Sequence, residues 1–199
     1  MAQLFFRYGA MASGKSIEIL KVAHNFETQG RHVLLLTSAL DNRTEIGSIA
    51  SRIGMQRPAL AIHDTDDLFY IARNAKDDIS AVLIDEAQFL SRAQVKQLTE
   101  VVDELDIPVM TFGLKQDAFN QLFPGSEALL IYADKIDEMK TLCSLCTRKA
   151  TMNLRVTDGK PVYSGAQVQI GGDDSYMPVC RHHYNHPDLE KIANRMTEA

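Results

Sequence analysis

The sequence predicts an α/β protein, a mostly parallel sheet with helices on both faces, carrying a small metal-bound segment at its C-terminal end. Three observations carry that prediction. Over the first two-thirds of the chain, short β-type runs alternate with longer helical patterns, the sequence sign of parallel strands joined by crossover helices. A glycine-bearing turn separates the first strand from the first helix. Beyond about Lys140 the character changes, and all three cysteines lie there.

The elements follow in order. Gln3 to Tyr8 reads as a strand, and a helix is expected from about Lys15 to Gln29. Ile17, Leu20, Val22 and Phe26 are expected on its buried side, and Gly30 sits where a C-terminal stop is expected. Further strands are expected at His32 to Ser38, Ala59 to Ile62, Ala81 to Asp85 and Pro108 to Gly113, with helices at Asp66 to Asn74 and Ala93 to Leu105. Leu129 to Ala133 reads as one more strand. The Gly- and polar-rich stretch from Asp158 to Asp174 suits hairpins and a long loop, and the last dozen residues suit a surface helix or a loose tail. The expected boundaries are residues 1–140 for an ATP-binding α/β domain, 141–186 for a metal-binding domain and 187–199 for a tail.

Composition sets the class. Of 199 residues 45% are hydrophobic and 24% charged, ordinary for a globular chain. Lys and Arg number 21 against 26 Asp and Glu, a formal charge of −5, which is not the footprint of a dedicated nucleic-acid binder. Apolar runs such as Val33-Leu34-Leu35-Leu36 are far too short to span a bilayer. No basic flank marks a signal peptide, and three cysteines make a poor disulfide framework, so a cytoplasmic protein without membrane attachment is expected.

Gly9-Ala10-Met11-Ala12-Ser13-Gly14-Lys15-Ser16 fits G-x-x-x-x-G-K-[ST] and sits between a strand and a helix. Its glycines let backbone N–H groups curl around phosphate oxygens, toward which the following helix points its positive end. Lys15 reaches the β- and γ-phosphates, and Ser16 offers a hydroxyl to the Mg²⁺ that accompanies ATP. The fold is therefore of the P-loop NTPase type. Ala81-Val82-Leu83-Ile84-Asp85-Glu86 is an apolar run ending in two acids, which a buried parallel strand carries to the ligand-binding edge of the sheet. Asp85 is assigned to the metal and Glu86 to the general base.

Cys143-Ser144-Leu145-Cys146 and Cys180-Arg181-His182-His183 are two x₂-spaced ligand pairs with 33 residues between them. Tetrahedral Zn²⁺ takes four such ligands, two from each tight turn. Cys143, Cys146, Cys180 and His183 are the expected set, His183 being preferred to His182 for its spacing. Free thiols or a redox pair are the other readings of the cysteines. A full set of four makes the zinc structural, because catalytic zinc keeps a position open for water.

Together these residues resemble the zinc-containing, type II, thymidine kinases over nearly the whole chain, from Leu4 to about Tyr184. The resemblance rests on the phosphate loop with Met11 inside it, Asp41-Asn42-Arg43, Ser51-Arg52-Ile53-Gly54 and Asp85-Glu86-Ala87-Gln88-Phe89. Phe112-Gly113-Leu114, the cysteine pairs and Ile170-Gly171-Gly172 before Tyr176 complete it. It implies transfer of the γ-phosphoryl of ATP to the 5′-hydroxyl of thymidine, with Glu86 as general base and a homotetrameric assembly. The segment between the cysteine pairs then forms a lasso over the nucleoside. The nucleotide set becomes Gly9 to Ser16 with Asp85 and Gln88. The nucleoside set becomes Met11, Phe89, Leu114, Phe123, Gln167, Val168, Gln169, Ile170, Gly171 and Tyr176. In one place the chain departs from the family: Ala118 stands where an aromatic residue is usual, and Phe119 follows it. Either Phe119 supplies the missing ring or the nucleoside packs less tightly.

Asp85-Glu86-Ala87-Gln88 also looks like the second ATPase motif of helicases, so a zinc-bearing ATPase acting on nucleic acid is the competing reading. The short chain, its negative charge and the lack of an interleaved basic and aromatic stretch count against it.

Overall fold

The computed structural model describes residues 1–40, 46–75, 78–167 and 175–197. Its centre is a six-stranded sheet in which every neighbouring pair is parallel. In chain order its strands are β1 (Leu4–Tyr8), β2 (His32–Ser38), β5 (Leu60–Ile62), β6 (Ile79–Asp85), β7 (Val109–Gly113) and β8 (Lys135–Glu138). Across the sheet they run β5-β2-β6-β7-β1-β8. Two faces are covered, which the period-2 alternation of the buried strands requires. On one face, Ala81, Leu83 and Phe112 pack against Ile19, Leu20 and Ala23 of helix α1 (Lys15–Glu27). On the other, Leu4, Phe6, Val82 and Ile84 pack against α2 (Leu68–Arg73), α3 (Arg92–Leu105) and α4 (Pro124–Tyr132).

Two of the helices start at side-chain caps. Asp67 accepts from the Tyr70 amide at the head of α2, and Ser91 with Gln94 forms a capping box on α3. A short antiparallel pair, β3 (Ser48–Ala50) and β4 (Gln56–Pro58), stands beside the sheet and was not expected.

One expected strand is corrected. Leu129 to Ala133 does not form a strand: Leu129 to Tyr132 belong to α4, and Ala133 is its C-cap. Pro124 in its first turn presets a helical φ, and Ala128 and Leu129 bury against the sheet, so an apolar run that looks extended is one face of a helix. The sixth strand is β8, whose sequence Lys-Ile-Asp-Glu is charged because it lies at the sheet's edge.

After β8 comes a second, smaller sheet, ordered β10-β9-β11 and antiparallel, from β9 (Met152–Thr157), β10 (Lys160–Val162) and β11 (Ser175–Val179). Helices α5 (Arg181–Asn185) and α6 (Leu189–Thr197) follow. Its core unites Cys143, Leu145, Leu154, Val156, Val179, Cys180 and Tyr184, and Ile192 of α6 is fully buried among them. No helix among the described residues is long and apolar enough to cross a membrane.

Candidate active site

The C-terminal ends of β1, β7 and β6 lie side by side, and the turns that leave them deliver the phosphate loop, Asp85, Glu86 and Leu114 to the cleft. The turn after β1 tightens through Ala12 and Gly14, both left-handed, before α1 begins at Lys15. Gly9 is needed for closeness: a Cβ there would lie 2.5 Å from the Met139 carbonyl. Lys15 is 8% exposed, and its Nζ donates to the loop's own Gly9 and Ala10 carbonyls and to Ser13 Oγ, at 3.3, 3.0 and 3.3 Å. The ammonium thus lies inside the loop it would serve when phosphate oxygens enter.

Strand β6 brings Asp85 and Glu86 to the same edge. Ser16 Oγ donates to Asp85 Oδ2 at 3.0 Å, so the hydroxyl and the carboxylate expected to share a cation already touch. Burial first, and the Glu86 charge second, push Asp85 up to about 7, an arrangement that a bound cation relieves. Glu86 leaves the strand with φ 53°, a left-handed turn that starts the single 3₁₀ turn Ala87–Phe89 and swings its carboxylate toward the cleft.

That carboxylate is braced. Gln88, fully buried, donates from Nε2 to Glu86 Oε2 at 2.5 Å and accepts from the Leu114 amide at 3.0 Å. Ser126 Oγ in turn donates to the Leu114 carbonyl at 2.5 Å. Gly113 makes the brace possible, since a Cβ there would come within 2.7 Å of Gln88 Oε1. Neither Ser126 nor the bracing role of Gln88 was foreseen, because isolated polar side chains carry no periodic signal.

The resulting cleft has a volume of about 460 Å³. It is lined by the phosphate loop from Met11 to Ile17, by Ser48 to Arg52 of the β3–β4 hairpin, and by Asp85, Glu86 and Leu114. Met11, Leu114, Lys15, Ser16, Asp85 and Glu86 are therefore brought together, and Arg52 joins them. Phe89 and Phe123 stand edge to face, ring centres 5.7 Å apart, beneath the start of α4. Gln167 is exposed, its Nε2 3.5 Å from the Leu122 carbonyl. Tyr176 is half-buried on β11, opposite Arg155 of β9. Val168, Gln169, Ile170 and Gly171 lie outside the described residues, as do Asp41, Asn42, Arg43 and Gly172. Ala118 is buried, and its carbonyl accepts from Tyr184 Oη at 2.7 Å. The ring of Phe119 faces Gly165, with its Cζ 3.9 Å from where a Cβ on that glycine would stand.

Some distance along the chain, Cys143, Cys146, Cys180 and His183 converge, their ligand atoms all within 4.8 Å of one another. Cys143 Sγ lies 3.4 Å and Cys180 Sγ 3.7 Å from His183 Nδ1, and Cys146 Sγ lies 3.9 Å from Cys180 Sγ. All three cysteines are free thiols, so disulfide pairing does not account for their convergence. Three thiols and one imidazole on two tight turns form a metal-binding set. His183, not His182, supplies the nitrogen of the cluster.

A family model described as thymidine kinase matches residues 2–184. Among similar proteins are the thymidine kinases of Lactobacillus acidophilus, 62% identical over 197 residues, and of Lactiplantibacillus plantarum, 62% identical over 187. The first alignment covers 95% of this chain and 99% of the relative, and the second covers 94% and 97%. The thymidine kinase of Streptococcus thermophilus is also 62% identical, over 197 residues, covering 96% and 98%.

Proposed function

The chain belongs to the thymidine kinase family, and from that premise we infer that it transfers the γ-phosphoryl of ATP to the 5′-hydroxyl of thymidine, giving thymidine monophosphate and ADP. The observation that best supports this reading is the single cleft in which the phosphate loop faces Asp85 and Glu86. Lys15 exchanges its loop carbonyls for phosphate oxygens, and Arg52 adds a second positive charge beside them. Ser16 and Asp85 would hold Mg²⁺, which when bound neutralises charge on the transferring phosphoryl group. Glu86 accepts the proton of the 5′-hydroxyl, and the Gln88 amide on Oε2 keeps its carboxylate aimed.

On this reading residues 1–140 bind ATP, residues 141–186 hold the nucleoside under a metal-stapled lasso, and residues 187–199 form the tail. Met11, Leu114, Phe89 and Phe123 supply apolar walls, while Gln167, Val168, Gln169, Ile170, Gly171 and Tyr176 read the base. The metal is zinc. A tetrahedral zinc with bonds of about 2.3 Å to sulfur and about 2.0 Å to nitrogen would need edges of roughly 3.5–3.8 Å; three of the six ligand-to-ligand distances run from 3.4 to 3.9 Å, and all six lie within 4.8 Å. With four protein ligands it is structural. The enzyme works in the cytoplasm on free nucleosides rather than nucleic acid, as a homotetramer.

The test is transfer of labelled γ-phosphate to a panel of nucleosides, with ATP hydrolysis followed with and without DNA. Labelled thymidine monophosphate, with little product from cytidine or purine nucleosides, is the expected result. In the same assay Glu86→Gln should bind ATP but lose turnover by about 10²–10⁴-fold, the usual worth of a general base. ATP hydrolysis that rises with DNA, and no nucleoside product, would overturn the reading.

A further inference from the structure

Strand β9 shows two faces. Leu154 and Val156 point into the core that surrounds the metal-binding set, while Asn153 and Arg155 alternate to the other side, both buried. On that side Asn153 leaves its own sheet. Its Oδ1 accepts the backbone N–H of Met11, inside the phosphate loop and 142 residues away, at 2.8 Å. A second tie runs the same way, with Thr141 Oγ1 donating to the Ala12 carbonyl at 3.3 Å. Asn153 is 4% exposed, so this is a sheltered bond rather than a surface contact exchanging with water.

The position of that bond matters. Met11 lines the nucleotide cleft and stands three residues before Gly14, whose left-handed turn sets the mouth of α1. On the other side, β9 pairs with β11 through Asn153↔Pro178 and Arg155↔Tyr176. The nucleoside contact proposed at Tyr176 therefore lies two rungs along one ladder from the residue that holds the phosphate loop. The β9–β11 pairing runs unbroken from Arg155 to Asn153, and β10 holds β9 from its other side at Arg155, so what orders Tyr176 bears on Asn153 through that ladder.

We propose that Asn153 is a positioning residue that couples the two substrate sites, so that thymidine on the β9–β11 ladder holds the phosphate loop in the form that takes ATP. The inference rests on the thymidine kinase reading. Coupling of this kind is reciprocal: whatever factor thymidine applies to ATP affinity, ATP applies to thymidine affinity. The side chain acts through Met11 and touches no reacting atom in this role.

The experiment measures binding, not turnover. Affinities of a non-hydrolysable ATP analogue with Mg²⁺ are taken with and without saturating thymidine, and thymidine affinities with and without the analogue. The wild-type protein should give the same coupling factor from both directions, at least about fivefold. Asn153→Ala, which removes the acceptor, should bring the factor close to 1 while metal content and melting temperature stay those of a folded protein. Asn153→Asp keeps an acceptor oxygen and should restore the factor, even where the added charge weakens the analogue itself. A purely structural role would lower both binary affinities and leave the factor unchanged, which overturns the proposal. So does a wild-type factor of 1, or an undiminished factor in Asn153→Ala. Analogue binding with no thymidine binding by the wild-type protein would instead sink the functional reading beneath it.

Discussion

Burial and the Glu86 charge push Asp85 up to about 7, while the Glu86 amide, the Ser16 hydroxyl and the Lys15 ammonium pull it down. A carboxyl raised in the fold binds its proton more tightly there than in the unfolded chain, where it titrates near 3.9. Between those two values the native state holds more protons, so this group's contribution falls as pH rises through the interval and is flat above it. Asp85→Asn removes the titration and keeps a side chain able to bond Ser16. Without metal or nucleotide, the variant's melting temperature should gain on the wild type from pH 5 to pH 8. Its turnover should fall, because the acid that would hold Mg²⁺ is gone. An equal difference at both pH values would show that Asp85 does not carry the penalty. Asp85 and Glu86 were legible in the sequence because two acids ending an apolar run have few other uses. The direction of Glu86 was not, since it depends on the buried amide of Gln88 and on Ser126 behind it.

At the scale of elements, the brace depends on how closely α4 approaches the turn that carries Glu86. A Cβ on Gly125 would come within 2.8 Å of the Gln88 and Leu90 carbonyls, and nearer still to that of Ala87. Two effects oppose each other in Gly125→Ala. Helix propensity favours alanine by about 1 kcal/mol, whereas overpacking against fixed backbone costs about 1–3 kcal/mol. The three carbonyls are backbone and cannot rotate away, so the second effect wins. We expect a net loss of stability of up to about 2 kcal/mol in urea unfolding, together with a fall in kcat as Gln88 shifts. Unchanged stability and kcat would mean that the 3₁₀ turn yields freely. The same helix explains where sequence reading failed. Leu129-Leu130-Ile131-Tyr132 has no polar residue to reveal a 3.6 period, so it looks like a strand. By contrast β2 and β6, which pair with strands on both sides, carry the unbroken apolar runs Val33–Leu36 and Ala81–Ile84 and read directly as strands. The β3–β4 hairpin was missed because two strands of three residues carry too little pattern, although Arg52 in its turn lines the cleft.

Across the whole molecule, two sheets meet at the phosphate loop, and the smaller one has a pair of the candidate metal ligands at each end. Cys143 and Cys146 precede β9, while Cys180 and His183 follow β11, so the four ligands close the segment that carries Asn153, Gln167 and Tyr176. The core beside them is small, and two of its buried members, Cys143 and Cys180, are ligands themselves. Metal binding in such a unit is largely its folding energy. The six-stranded sheet has its own two cores and no ligand among them. Metal removal should therefore act unequally. Chelation followed by assay is expected to raise the KM for thymidine about tenfold or more, a loss of roughly 1.4 kcal/mol. Affinity for the ATP analogue alone should change little, because Lys15 and Ser16 on α1 and Asp85 on β6 belong to the larger sheet and the helices packed on it. The coupling factor between the two ligands should vanish with the metal, since a loosened β9 no longer presents Asn153 to Met11. Zinc added back to the chelated protein should restore all of these together. Equal damage to both binary affinities would mean that the larger sheet depends on the smaller for its fold. Thymidine binding unaffected by chelation would show that the metal does not hold the ladder on which the nucleoside rests.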